Sequence, residues 1–123
     1  MNFAFLQCGT HVDRVLAKIL VHSIRETHEN AVIYQLTDLD TVPVEGVDQV
    51  VRAERNTGLI LFRTKFFPTL PEEILLVDSD MVIQKNLSEV FNKLSIIFST
   101  NKMINDTCHE IIITYIFVIL GGL

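Results

Sequence analysis

Short apolar runs alternate with amphipathic segments along this chain, a pattern typical of α/β proteins. The apolar runs predict buried strands because they are rich in β-branched and aromatic residues. These runs cover residues 3–8, 31–37, 47–52, 74–82, 95–99 and 111–120. The amphipathic segments predict helices from near residue 11, over 59–67 with Pro68 and Pro71 at its end, and over 87–91. This order predicts a three-layer, Rossmann-like α/β fold with a mostly parallel sheet flanked by helices.

The first predicted helix has the clearest boundary signal. Gly9 permits a sharp exit from the strand before it. Thr10 and Asp13 have the spacing of a capping box, so the helix should begin near His11. Its apolar positions recur every three or four residues, at Val12, Val15, Leu16, Ile19, Leu20 and Ile24. This spacing predicts an amphipathic helix that lies on the sheet.

Polar and small residues follow three of the predicted strands at the point where each strand ends. They are Cys8-Gly9-Thr10, Thr37-Asp38 and Asp78-Ser79-Asp80. In open α/β sheets, ligands bind at the carboxyl ends of the strands, near the point where the strand order reverses. We therefore expect these residues to border one crevice.

Asp78 and Asp80 end the apolar run that begins at Ile74. On a pleated backbone, alternate side chains share a face, so these two carboxylates can converge on one ion while Ser79 points away. Oxygen ligands suit a hard cation such as Mg²⁺ or Mn²⁺, and its open coordination positions suit phosphate oxygens. The same short pattern also occurs where a strand simply ends in a turn or where acidic residues cap a helix.

Composition narrows the classes of function. The chain has 123 residues and a formal net charge of -5, with no basic stripe, which argues against nucleic-acid binding. Cys8 and Cys108 form neither a metal-ligand spacing nor a disulfide framework, so reduced thiols in the cytoplasm are expected. The first residues lack the basic region of a secretory signal. Residues 111–120 are shorter than the ~20 residues of a transmembrane helix and are expected to form a buried strand.

Three blocks of the sequence together carry a family resemblance. The first block is the strand and exit loop at residues 3–10, and the second is Leu61-Phe62-Arg63-Thr64-Lys65. The third and most specific is Ile74-Leu75-Leu76-Val77-Asp78-Ser79-Asp80-Met81-Val82-Ile83, followed by Asn86-Leu87-Ser88-Glu89-Val90-Phe91. These blocks resemble the nucleotide-diphospho-sugar transferase (GT-A fold) family, and most closely its family-8-like glycosyltransferases. The resemblance covers residues 1–99 as a nucleotide-sugar-binding domain. Residues 100–123, a polar loop and an apolar strand, look like a shortened or divergent end, since Tyr115 to Gly121 lack the asparagine that the family carries there.

The resemblance implies a donor site for a nucleoside diphosphate sugar, with a UDP-sugar the expected donor. Asp78 and Asp80 would hold Mn²⁺ or Mg²⁺ on the diphosphate, with Ser79 beside them. Arg63 would lie near the phosphates or the donor sugar. The remaining implied positions, Cys8, Gly9, Thr10 and Asp38, would lie near the nucleoside. The resemblance leaves both the catalytic residues and the acceptor open.

Two other functions fit parts of the sequence. Asp78-Ser79-Asp80-Met81-Val82 also matches the first motif of haloacid-dehalogenase-type phosphatases, in which Asp78 would be the nucleophile and Asp80 a general acid and base. That motif normally lies on the first strand of its domain, whereas three predicted strands precede it here. The second alternative is a non-catalytic or truncated nucleotide-sugar-binding remnant. The exposed edge of an incomplete sheet would offer such a chain a route to a homo-oligomer.

Overall fold

The computed structural model describes residues 1–9, 12–71 and 73–93, and within them it follows the predicted alternation of strands and helices. The strands are β1 (Asn2–Leu6), β2 (Val32–Thr37), β3 (Gln49–Arg52) and β4 (Ile74–Val77). The helices are α1 (Val12–Thr27) and α2 (Leu59–Thr64), and a 3-10 turn spans Phe67–Thr69. The strands predicted over residues 95–99 and 111–120 lie outside the described residues, as do Thr10 and His11.

The described strands form one sheet with the order β3-β2-β1-β4, and every pair in it is parallel. Phe5 of β1 lies opposite Gln35 of β2 on one side and Val77 of β4 on the other. The chain thus runs from β1 outward through β2 and β3, and then returns to the opposite side of β1 for β4. The strand order reverses between β1 and β4, which is where open α/β sheets bind their ligands.

Helices cover both faces of the sheet, which confirms the α/β class. On one face, Ala4 and Leu36 pack with Phe62 and Phe66 of the α2 region in a buried apolar cluster. Successive residues of a strand point to opposite faces, so Phe3 lies on the other face. Its ring makes an edge contact with His28, one residue beyond the end of α1, at a centroid distance of 4.9 Å.

Helix α1 buries a stripe that is rotated from the predicted one, and Leu20 and Ile24 belong to both. Ala17, Leu20, Val21 and Ile24 are buried, whereas Val15 and Ile19 are 60% and 46% exposed. Both stripes have the three- and four-residue spacing of a helix face. The buried stripe contains Ala17, whose small side chain permits close approach to the sheet. Hydrophobicity alone therefore did not distinguish the two faces.

The predicted helix over residues 59–67 is shorter in the structure. Helix α2 ends at Thr64, and Phe67–Thr69 form a 3-10 turn with Pro68 in its first part. Pro68 has no N–H to donate to the carbonyl of Thr64, four residues earlier, and its ring crowds that carbonyl, which accounts for the break. Phe62 and Phe66 remain buried, and their rings meet edge to face at 5.0 Å.

The chain divides into two compact units, Met1–Gln84 and Lys85–Leu123. The first unit contains the sheet and both helices named above. Of the second unit, residues 85–93 are described, and residues 88–93 are helical, as the pattern at 87–91 predicts. Within the described part of the chain, neither α1 nor α2 combines the length and apolar character that crossing a bilayer requires.

Candidate functional site

Asp78, Ser79 and Asp80 form a turn at the carboxyl end of β4. The strand ends at Val77, and the backbone N–H of Met81 donates to the carbonyl of Asp78 at 3.2 Å. The alternation of a pleated strand therefore does not extend through this segment, contrary to the sequence-based expectation. Asp78 and Asp80 are exposed, and Ser79 is half-buried. The turn presents both carboxylates to solvent at the edge of the sheet where ligands are expected.

Arg63 of α2 lies beside this turn. Its Nη1 is 3.5 Å from Oδ1 of Asp78, and the two side chains are 25% and 59% exposed. This distance is long for a charge-assisted hydrogen bond, so the contact is a loose ion pair. The fold thus brings together an arginine and an aspartate that the sequence proposed separately for the same ligand.

The segment behind the turn is anchored in the interior. The side chain of Ile83 is buried, and its backbone N–H donates to the hydroxyl of Ser23 in α1 at 2.9 Å. The Ser23 hydroxyl in turn donates to the Leu20 carbonyl at 2.7 Å. The turn that bears Asp78 and Asp80 is therefore held by β4 on one side and by α1 on the other.

The exit loop of β1 is held at Gly9 from two directions. The backbone N–H of Gly9 donates to Oγ1 of Thr41 at 2.9 Å, and the Gly9 carbonyl accepts a hydrogen bond from Nε2 of Gln7 at 2.9 Å. Gly9 has a φ of 94°, in the left-handed region where glycine is favoured. The structure thus confirms the sharp exit that the sequence predicts at Gly9.

Two buried glutamines support this loop, and sequence reasoning missed both. Nε2 of Gln35 donates to Oε1 of Gln7 at 2.9 Å, and Oε1 of Gln35 accepts from the Val44 backbone N–H at 2.7 Å. Gln7 is 2% exposed and Gln35 is fully buried. Because buried amides need hydrogen-bond partners, two glutamines within apolar strands were the available signal of a polar network.

The carboxylate of Asp38 accepts hydrogen bonds from the loop that follows β2. Oδ1 of Asp38 accepts from the backbone N–H of Thr41 at 2.8 Å and from that of Asp40 at 3.3 Å. A hydrogen bond from the Thr41 side chain, followed by these backbone bonds, lowers the pKa of Asp38. Asp38 is therefore linked to Gly9 through Thr41, and this link joins the exit loops of β1 and β2.

Three arginines, two from α1 and one from β3, hold the rest of the loop after β2 in place. Arg52 donates to the carbonyl of Asp38, Arg14 to that of Pro43, and Arg25 to that of Gly46. Side chains that satisfy backbone carbonyls in this way order a segment that has no regular structure of its own. The loop after β2, which borders the site, is consequently ordered by contacts from α1 and β3.

Cys8 has a different environment from these loop residues. Cys8 is half-buried against the apolar cluster around Phe62, and the Thr37 hydroxyl lies 3.9 Å from its sulfur. It behaves as a small core residue. Thr10 lies outside the described residues, so its predicted place near the nucleoside stays a prediction.

The oxygen ligands of Asp78 and Asp80 fit a hard divalent cation that completes its coordination with phosphate and water. Mg²⁺ is commonly bound in this way, through one or two carboxylates and substrate phosphates. Within residues 1–9, 12–71 and 73–93, no group of three or more histidine, cysteine, aspartate or glutamate side chains could hold a metal ion. A metal ion held at this turn by Asp78 and Asp80 would therefore take its remaining ligands from bound phosphate and from water.

Two of the solved structures that match this chain are glycosyltransferase GlyE and TarS. The glycosyltransferase GlyE from Streptococcus pneumoniae TIGR4, in its apo form, matches with a TM-score of 0.46 and 18% identity over 73% of this chain and 25% of its own. S. aureus TarS 1-349 matches with a TM-score of 0.50 and 18% identity over 82% of this chain and 33% of its own. The chain thus spans a third or less of either structure.

The TarS match supports the α/β fold, and at 18% identity it shows the fold alone. The GlyE match, with its lower score of 0.46, adds no weight. No protein-family model matches the sequence, and no curated protein does.

Proposed function

We propose that this chain is the donor-binding part of a glycosyltransferase. It binds a nucleoside diphosphate sugar, most suitably a UDP-sugar, through Mn²⁺ or Mg²⁺ on Asp78 and Asp80, and the sugar passes to an acceptor. One observation carries the proposal: the Asp78 turn and Arg63 lie together at the end of β4, beside β1, where the strand order reverses.

The residues at this point suit the chemistry of a diphosphate. The carboxylates of Asp78 and Asp80 are exposed and can each offer oxygens to a cation. Arg63 can donate hydrogen bonds to phosphate oxygens once it leaves Asp78, because their ion pair is loose at 3.5 Å. When bound, the cation would stabilise the negative charge that develops on the departing nucleoside diphosphate.

The nucleoside end of the donor belongs, in this proposal, at the exit loops of β1 and β2. Gly9 lies in the exit loop of β1, the strand that pairs with β4. Asp38 follows β2, which pairs with the other side of β1. A sugar nucleotide that spans from the Asp78 turn to these loops would cross the carboxyl end of β1. This orientation agrees with the general binding position in open α/β sheets.

Calorimetric titration with a panel of nucleoside diphosphate sugars, with and without Mn²⁺, tests the proposal. We expect binding of a UDP-sugar that requires Mn²⁺ and is abolished in Asp78→Asn and in Asp80→Asn. Glu26→Gln is the matched control, since it removes one exposed carboxylate on α1. Metal-dependent binding that is unchanged in both aspartate variants would refute the assignment.

A turnover assay with a labelled UDP-sugar separates transfer from binding alone. Release or transfer of the labelled sugar supports an enzyme. Tight, Mn²⁺-dependent binding without transfer or hydrolysis supports a non-catalytic nucleotide-sugar-binding chain. Phosphate release from a phosphomonoester, with a covalent phosphate on Asp78, would support the phosphatase alternative instead.

A further inference from the structure

Gly9 has both of its main-chain polar groups occupied by side chains. Its N–H donates to Thr41 Oγ1 and its carbonyl accepts from Gln7 Nε2, each at 2.9 Å. Thr41 is 5% exposed and Gln7 is 2% exposed, so both bonds come from the interior side of the loop. The peptide groups on either side of this glycine are therefore held from within the protein.

The two side chains that hold Gly9 are themselves held. The Thr41 backbone N–H donates to Asp38 Oδ1 at 2.8 Å, and Gln7 Oε1 accepts from Gln35 Nε2 at 2.9 Å. Thr41 and Gln7 thus connect Gly9 to the loop after β2 and to the interior of β2. Apolar side chains could fill the same interior space, and they have no amide groups that need hydrogen-bond partners. A fully bonded polar network of this kind specifies one geometry, and here that geometry is the position of Gly9.

The outer side of Gly9 is open. A Cβ added at Gly9 would meet no atom within 4 Å, although its φ of 94° remains unfavourable for other residues. With its N–H and carbonyl directed to Thr41 and Gln7, Gly9 offers an incoming ligand a bare α-carbon. A ligand ring can pack closely against such a surface, and it would be recognised there by shape.

We infer that Thr41 and Gln7 are positioning residues that hold Gly9 as the floor against which the nucleoside of the donor packs. The inference rests on the proposed function, because it assigns the nucleoside end of the same donor to this loop. It adds that the Gly9 main chain is fixed before the ligand arrives, so little ordering is needed on binding. The metal end of the site, at Asp78 and Asp80, is independent of these two bonds.

The test compares Thr41→Val with Thr41→Ser in the full chain. Valine removes the hydroxyl that accepts from Gly9, and serine keeps it. Amide hydrogen exchange at Gly9, followed by NMR in the absence of ligand, reports the bond directly. Calorimetry then gives the dissociation constants of UDP in the presence of Mn²⁺ and of Mn²⁺ alone.

We expect Thr41→Val to accelerate exchange at Gly9 and to weaken UDP binding about three- to tenfold, as the loss of the hydrogen bond to Gly9 implies. Mn²⁺ binding should be unchanged, and Thr41→Ser should restore both the exchange rate and the UDP affinity. A general loss of stability would weaken UDP and Mn²⁺ binding together. Should Thr41→Val fail to fold, Gly9→Ala takes its place, because its added methyl group stands in open space on the floor itself and should weaken UDP but not Mn²⁺ binding.

Faster exchange at Gly9 with unchanged UDP affinity would overturn the inference and leave the proposed function standing. Unchanged exchange at Gly9 would overturn it as well, since the bond to Thr41 would then not restrain the loop. If Gly9→Ala is the variant used, wild-type UDP affinity in it contradicts the inference. If the wild-type chain binds no UDP in the presence of Mn²⁺, the proposed function fails, and the inference fails with it.

Discussion

The hydroxyl of Ser23 in α1 accepts a hydrogen bond from the backbone N–H of Ile83 at 2.9 Å, across 60 residues of sequence. Both residues are buried. This single bond connects the helix after β1 to the chain just behind the Asp78 turn. The carboxylates of Asp78 and Asp80 are thereby held between β4 and an interior anchor.

Replacement of Ser23 by alanine should destabilise the protein by about 1–3 kcal/mol, because the Ile83 N–H would lose its partner in a buried place. Chemical denaturation of wild type and Ser23→Ala measures the difference. Val82→Ala is the control, since it shortens a side chain in the same segment that is 54% exposed. Equal stability of Ser23→Ala and wild type would show that water replaces the bond.

Arg63→Ala should leave the melting temperature nearly unchanged while it weakens nucleotide binding. The ion pair with Asp78 is partly exposed and 3.5 Å long, and such pairs contribute about 0–1 kcal/mol to stability. Calorimetry with a UDP-sugar and a thermal melt are the measurements. Lys18→Ala breaks the exposed ion pair with Glu45 and should change neither quantity appreciably. A large loss of stability in Arg63→Ala alone would mean that Arg63 is a structural residue.

Gly46→Ala should destabilise the fold, whereas Gly58→Ala should not. Gly46 has a φ of 93°, and a Cβ there would lie 2.8 Å from Cγ1 of Val21. Backbone strain of this kind costs about 1–3 kcal/mol, before the contact with Val21 is relieved. A Cβ at Gly58, which has a φ of -60°, meets nothing within 4 Å. Gly58 is the N-cap of α2, where alanine is less favourable than glycine, and this offsets the entropic gain from alanine, so urea denaturation should show a nearly unchanged free energy of unfolding.

Stability should decrease as the pH falls below the ordinary pKa of histidine, because of His28. Burial against Phe3 lowers the pKa of His28, and the N-terminal ammonium of Met1 lowers it further. The unfolded chain therefore takes up a proton first, from about pH 6.5 downward, while folded His28 stays neutral. The contribution of neutral His28 to the free energy of unfolding is fully present above about pH 6.5. It is lost as the pH falls from there through the lowered pKa of the folded protein.

Urea denaturation at a series of pH values between 8 and about 5 measures this dependence. In His28→Asn the decrease over that range should largely disappear, although the variant is less stable throughout. His22→Asn, a change at an exposed histidine on α1, should retain the wild-type dependence. A profile in His28→Asn that is parallel to that of wild type would assign the effect to other groups.

Local sequence patterns determined much of the fold of this protein. The apolar run before Asp78, the glycine exit at Gly9 and the spacing of α1 are signals carried within a few residues of sequence. They predict the order of strands and helices and place small or acidic residues at the ends of β1, β2 and β4. Those residues lie at those strand ends in the structure, apart from Thr10, which is outside the described residues.

Tertiary structure decided which residues meet. The face that α1 buries, the turn at Asp78, and the links from Asp38 through Thr41 to Gly9 all depend on segments far apart in sequence. A carboxylate, hydroxyl or amide looks the same in the sequence whether it faces a ligand or a neighbouring loop. Hydrogen bonding is directional and short in range, so only the packed positions of β1, β2 and β4 determine which partner each polar group finds.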